Sequence, residues 1–203
     1  MTPLRAIRTR GIIGHCTEIR PRVRLLAGMP VLDPIATWCQ LAAVLGRDDL
    51  VAAGDHLLRA EFALADASAL ADAVAEHAGQ RGARGLREAA ALVRPRVESR
   101  RETHLRLFLL DCGFPEPESN VYLSLPVGKP RVRGDLVYIK YRVLVEYDGE
   151  QHRLDDVQFN RDAERLYDVR AAGWLVVTVR KGSSREWVRT AVDEALRSRG
   201  WFP

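Results

Sequence analysis

The sequence predicts an α/β protein: a mixed sheet flanked by helices, preceded by a smaller and mostly helical accessory region. Three observations predict this. Between residues 34 and 94 apolar residues recur at helical spacing, and short Gly-containing connections join the stretches. From about residue 99 the pattern becomes helix, three strands, helix, strand, helix, an order that suits a mixed sheet covered by helices. The chain has 203 residues, 47% of them hydrophobic. That is enough for an ordinary domain plus a small accessory unit, and it excludes a mostly disordered chain. The expected division is 1–98 and 99–203.

Charged residues make up 29% of the chain, yet the net charge is only +4. This is not the footprint of a histone-like binder. The basic residues are almost all arginine, the only lysines being Lys129, Lys140 and Lys181. Arginine suits bidentate contact with phosphate. Cys16, Cys39 and Cys112 are far apart and odd in number, which argues against both a zinc site and a disulfide framework. The chain shows no signal-peptide core and no apolar run approaching a membrane span. A cytoplasmic protein without membrane contact is the expectation.

Residues 1–32 read as short strands and turns. Six arginines lie in the first 24 residues against one acid, Glu18. They form either a phosphate-contacting face or a solvated edge strand kept from aggregating by charge. Asp33 and Pro34 then supply an N-cap and a first helical residue, and Trp38, Leu41, Ala42 and Leu45 follow at helical spacing. A second helix, "DDLVAAGDHLLR", is expected to be capped by Asp48. "ASALADAVAEHAG" and "ARGLREAAALV" give a third and a fourth. His56 and His77 lack partners at ligand spacing and read as ordinary surface or cap histidines.

The stretch "RPRVESRR" at 94–101 marks the junction. A helix is expected over about 99–112, strands near 121–125, 132–139 and 142–148, and a helix over about 155–172. "WLVVTVR" reads as a strand. A last helix follows a serine cap and ends at Gly200.

The segment "GDLVYIKYRVLVEYDGEQH" at 134–152 carries Asp135, Glu146 and Asp148 inside an otherwise apolar hairpin. A turn around Lys140 and Tyr141 with an even loop pairs residues whose numbers sum to 281, so Asp135 faces Glu146. Their Cβ atoms would then stand about 4.5–5.5 Å apart, where like charges destabilise a sheet. Asp148 shares that face. A divalent cation would reverse the sign, and oxygen-only ligation suits Mg²⁺ or Mn²⁺. The competing reading leaves Asp135 and Asp148 in water at strand ends, with Asp148-Gly149 as a turn. Glu102 lies on the apolar stripe of Leu105, Leu109 and Cys112. It either points at the same site or only completes the capping box Ser99-x-x-Glu102.

These residues also carry a resemblance. Glu102 to Arg106 on a helix, Gly113 to Pro117, Asp135 to Val137, Val145 to His152, Arg161 to Arg165 and Gly173 to Val179 resemble a bacterial family of endonuclease-like domains. That family is related to the very-short-patch mismatch repair (Vsr) endonucleases. The match covers about 99–181, half the chain. Residues 1–98 are similar to the accessory region of abortive-infection type IV antitoxins, without the winged-helix start usual there. The resemblance implies a restriction-endonuclease-like fold and a core motif of Asp135 and Glu146, with Asp148 standing where the superfamily has a lysine. It implies metal held by Asp135, Glu146 and the carbonyl of Tyr147, and catalytic help from Glu102, Asp148 and His152. Arg133, Arg161 and Arg165 are the expected nucleic-acid contacts, although acids flank Arg161 and Arg165 closely enough for a surface ion-pair ladder.

The expected function is metal-dependent hydrolysis of DNA phosphodiesters, with Mg²⁺ or Mn²⁺ as cofactor, DNA as partner and a homodimer as an open alternative. The competitors are a non-catalytic nucleic-acid or partner-binding module of the same fold and an antitoxin-like regulator.

Overall fold

The computed structural model describes residues 8–13, 22–62, 64–126, 131–148 and 156–203. Two short hairpins come first: β1 (Arg8–Thr9) with β2 (Ile12–Ile13), and β3 (Val23–Leu26) with β4 (Met29–Leu32). Four helices follow, α1 (Pro34–Leu41), α2 (Arg47–Leu57), α3 (Ala67–Glu76) and α4 (Ala83–Leu92). The Asp33 carboxylate accepts from the amides of Ile35 and Ala36 and caps α1. Asp48 does not cap α2. The cap is Gly46, and Asp48 sits in the first turn on the Nε of Arg47, where a negative charge still complements the helix dipole. Gly82 starts α4 with φ +85, and a Cβ there would stand 2.5 Å from the backbone of Ala42, so only glycine fits.

The second half runs α5 (Arg100–Asp111), β5 (Glu118–Tyr122), β6 (Arg133–Tyr138), a 3₁₀ turn (Ile139–Tyr141), β7 (Val143–Asp148), α6 (Asp156–Ala171), β8 (Leu175–Arg180) and α7 (Arg185–Arg197). The architecture is mixed α/β: helices, then a four-stranded mixed sheet in the order β5-β6-β7-β8 with helices on both faces. β5, β6 and β7 are antiparallel neighbours, and β8 returns through α6 to lie parallel to β7. β5 begins three residues earlier than its local sequence suggests. Glu118 pairs with Val137 directly after Pro117, so its bounds follow from the neighbouring strand.

The β6–β7 register is Leu136↔Val145, Val137↔Leu144 and Tyr138↔Val143, each pair summing to 281 as the hairpin sequence predicts. The four-residue connection closes with Arg142 in the left-handed region at φ +50. On one face Leu136, Val145 and Val179 pack with Leu105 and Leu109 of α5 and with Val188 and Val192 of α7. On the other face Val137, Leu144 and Val176 pack with Val169 of α6.

Helix α5 joins the two halves. Leu107 enters the helical core with Trp38, Leu50, Leu86 and Ala89, while Leu105 and Leu109 enter the sheet core. Between them Arg106 is completely buried. Its Nη2 donates to Asp55 of α2 at 3.2 Å and to the carbonyl of Leu92 at 2.8 Å, and its Nη1 donates to Glu116 at 3.3 Å. Asp55 also accepts from the Arg94 amide at 2.6 Å and from the Thr103 hydroxyl at 2.8 Å. Burial pushes the Asp55 carboxyl upward against the pull of these donors, the Arg94 amide first. Among the described residues no helix is long and apolar enough to cross a membrane.

Removing one partner of such a pair strands a buried charge. Asp55→Ala is expected to cost about 3–5 kcal/mol in urea denaturation. An exposed acid such as Glu88, on the solvent side of α4, should cost less than about 0.5 kcal/mol when replaced by alanine.

Candidate functional site

The next step of the β6–β7 register sets Asp135 opposite Glu146. Both lie on the face that α6 covers, near the end of the sheet where β7 finishes. Asp135 is half-buried and Glu146 is buried at 7% exposure. The Asp135 Oδ2 accepts from the amide of Tyr147 at 2.9 Å. Its carboxyl is nevertheless pushed up to about 6. Burial is the largest cause, and the nearby charges of Glu102 and Glu146 add to it, against the lowering effect of the Tyr147 amide and the Arg165 guanidinium. The carboxylates of Glu102 and Glu146 therefore each stand within electrostatic reach of Asp135.

Glu102 both caps its helix and faces this cluster. Its amide donates to the Ser99 hydroxyl at 3.2 Å. Its Oε2 accepts from the amide of Glu98 at 3.1 Å, one residue before the position a capping box uses. The same oxygen accepts from the Asn120 side chain at 2.6 Å. Glu102 is 9% exposed, so it is not a solvated cap.

Asn120 belongs to the site although sequence reasoning passed over it. It lies inside β5 with φ +52, a conformation that asparagine tolerates better than most residues and that disrupts regular pairing. The ladder skips it: Ser119 pairs with Leu136 and Val121 with Gly134, which leaves Asn120 beside Asp135. Its amide donates both to Glu102 and to the carbonyl of Arg96 at 2.8 Å, tying α5 to the sheet at the cluster. The available signal was an asparagine among strand-forming residues in "ESNVY".

Arg165 of α6 meets Glu146 in a bidentate pair, Nη1 to Oε1 at 2.8 Å and Nη2 to Oε2 at 3.0 Å. Its position thus differs from that of a phosphate contact open to solvent. Arg133 likewise engages the Glu98 carboxylate at 2.7 Å. Arg161 falls in the first half of α6, where only the backbone is described. Asp148 shares the Glu146 face but accepts from the Arg180 Nε at 3.2 Å, its neighbour in the parallel β7–β8 register. Tyr147 turns to the opposite face and packs against the α5–α7 core. His152 lies outside the described residues. Lys140 is exposed in the hairpin turn, 5.2 Å from the centroid of the Tyr141 ring.

A hard divalent cation fits the donor chemistry, since the cluster presents carboxylate oxygens in excess of positive charge. Among the described residues no three His, Cys, Asp or Glu side chains are arranged to hold a metal ion. The part of the cluster that fits is the pair Asp135 and Glu146, because Mg²⁺ is commonly held by one or two carboxylates together with water and substrate phosphate.

The chain is 29% identical over 174 residues to two curated proteins of Mycobacterium tuberculosis, Uncharacterized protein Rv2248 of strain H37Rv and Uncharacterized protein MT2308 of strain CDC 1551. The match covers 84% of this chain and 62% of each relative, so the chain spans less than two thirds of their length. No family model matches, and no solved structure matches.

The Asp135 carboxyl, raised from 3.8 to about 6, makes stability depend on pH. Between these values the folded state keeps a proton that the unfolded state has lost, so this group's contribution falls as pH rises from about 4 to about 6. Asp135→Asn is expected to be more stable than the parent by about 1–2 kcal/mol at about pH 7.5, with the gain vanishing towards about pH 4. Urea denaturation of both proteins at the two pH values measures this.

Proposed function

We propose that this chain is a metal-dependent nuclease that hydrolyses phosphodiester bonds of DNA on a restriction-endonuclease-like sheet. The observation that carries the proposal is the gathering of Glu102, Asp135 and Glu146 at one end of the β6–β7 hairpin. Three carboxylates brought together from a helix and two strands cost stability, and clusters of this kind are retained at functional sites. The β8 strand returning through α6 beside this hairpin suits the same fold.

Asp135 and Glu146 would hold the divalent cation. When bound, Mg²⁺ supplies Lewis-acid stabilisation of negative charge on a phosphoryl oxygen. Glu102 enters from α5 and orients a water molecule for attack, accepting its proton as the new oxygen–phosphorus bond forms. Asn120 holds Glu102 in place through its 2.6 Å hydrogen bond. Arg165 offers a permanent positive charge beside Glu146, which a lysine supplies in the superfamily pattern and Asp148 does not. The proton for the leaving oxygen comes from solvent or from His152.

One observation favours a second reading, a non-catalytic nucleic-acid-binding module of the same fold. Both Glu146 oxygens are engaged by Arg165, so a cation takes Glu146 only in competition with that guanidinium.

Nicking of a supercoiled plasmid in Mg²⁺, Mn²⁺ or chelator separates the two. The nuclease reading expects nicking that chelator abolishes, and Asp135→Asn or Glu146→Gln to lower the rate about 10²-fold or more. Binding without cleavage under every metal establishes the module reading instead.

A further inference from the structure

On the other side of the same sheet end lies a cleft of about 210 Å³. It opens between the start of α5, the ends of β7 and β8, and the start of α7. Six basic side chains line it: Arg100, Arg101, His104, Arg180, Lys181 and Arg185. Among the described residues no carboxylate lines it. Asp49 binds Arg100 and His104 from outside, and Asp148 binds Arg180. Arg101, Lys181 and Arg185 have no ion-pair partner among the described residues. The Arg185 charge helps to hold the Asp111 carboxyl down, but Asp111 itself is bound by Arg47.

Two of these three cations are held in place. The Arg101 guanidinium lies 5.3 Å from the centroid of Tyr147, and that of Arg185 lies 5.2 Å from the centroid of Phe108. The placement works against helix stability. Arg100 and Arg101 open α5 and Arg185 opens α7, where the macrodipole disfavours positive charge. Glu102 and Glu186 also stand in those first turns, yet neither lines the cleft. Arg101 and Arg185, set at two helix starts with no acid paired to either among the described residues, form a local conflict of the kind expected where a ligand supplies the missing charge.

We propose that this cleft binds the phosphate backbone of duplex DNA. The volume suits phosphate groups and lies below the roughly 300 Å³ at which ordinary small-molecule pockets begin. Both aromatic rings are already covered by guanidinium groups, so no stacking platform of the kind that single strands use is open. Such contacts position a duplex without reading its sequence. The cleft and the carboxylate cluster share the ends of β7 and β8. Tyr147 lines one and neighbours Glu146 of the other, and Arg180 lines the cleft while bonding Asp148. One duplex passing over this edge would touch both. The choice of DNA rests on the nuclease reading above.

The test is fluorescence anisotropy with a labelled DNA duplex of about 20 base pairs in chelator, which removes cleavage from the measurement. The protein is compared with the triple variant Arg101→Gln, Lys181→Gln, Arg185→Gln. All three side chains are exposed, and an unchanged melting temperature verifies folding. The variant is expected to bind at least about tenfold more weakly at about 50 mM salt, with the slope of log affinity against log salt reduced by about 2–3. Arg101→Lys with Arg185→Lys should keep most of the binding. Unchanged affinity and slope in the triple variant overturns the proposal, as does absence of duplex binding by the parent. Displacement of the duplex by millimolar inorganic phosphate at constant ionic strength also overturns it, since that marks a site for the free ion. A parent that binds duplex through these residues but never nicks plasmid removes the nuclease reading and leaves the cleft assigned. A parent that nicks plasmid while the triple variant binds unchanged does the reverse.

Discussion

The buried Arg106 guanidinium is the constraint around which the described structure is organised. Its partners come from three places: Asp55 on α2, the Leu92 carbonyl at the end of α4, and Glu116 in the connection to β5. An arginine with no exposure is tolerable only if most of its donors find acceptors; both terminal nitrogens of Arg106 do so, and only its Nε is left without a partner among the described residues. That requirement sets how far α5 slides along the helical core. The neighbouring positions of α5 then have set duties. Leu107 faces the helices, Leu105 and Leu109 face the sheet, and Glu102 is delivered one turn earlier to the start of β6, beside Asn120. The geometry of the carboxylate cluster thus depends on a buried ion pair that is not part of it.

The cluster itself is an electrostatic compromise. Burial and then the charges of Glu102 and Glu146 push the Asp135 carboxyl upward. The fold offsets it with the Tyr147 amide on Asp135, the Asn120 amide on Glu102 and the Arg165 fork on Glu146. Charge-assisted bonds of this type are stronger than neutral ones, which explains why the arrangement holds. Asp148 is treated differently: Arg180 pairs with it at the half-exposed end of the sheet.

The carboxylate cluster and the basic cleft lie on different sides of one sheet end, and charge pairs such as Asp148 with Arg180 join them at its edge. Alternation along β7 sends Glu146 and Asp148 towards α6 and Tyr147 towards α5 and α7. Asp135 and Glu146 thus collect on the α6 side, while Tyr147 lines the cleft with Arg101, Lys181 and Arg185. The modest net charge of +4 conceals this separation, because a sum over the chain says nothing about where charges lie.

Much of the architecture was legible in the sequence because it rests on local chemistry. Asp33-Pro34 and Ser184 mark helix starts through caps, and helical periodicity places the four helices between 34 and 94. The 281 register follows from the hairpin pattern alone, since side chains alternate with period two and a slip of one residue would turn Leu136, Leu144 and Val145 inside out. Asp135 facing Glu146 is a consequence of that register. Other features depend on groups distant in the chain. The start of β5 is set by pairing with β6, not by its own residues. Asn120 acquires its role only because a positive φ brings its amide to Glu102. Arg165 looks like a surface cation on its helix until α6 folds over the sheet and presents it to Glu146, 19 positions away. The basic cleft draws on α5, β8 and α7, and no sequence window contains them together. Periodicity and capping act within a few residues and can be read there, whereas charge pairing and clefts arise from proximity that only the packed chain creates.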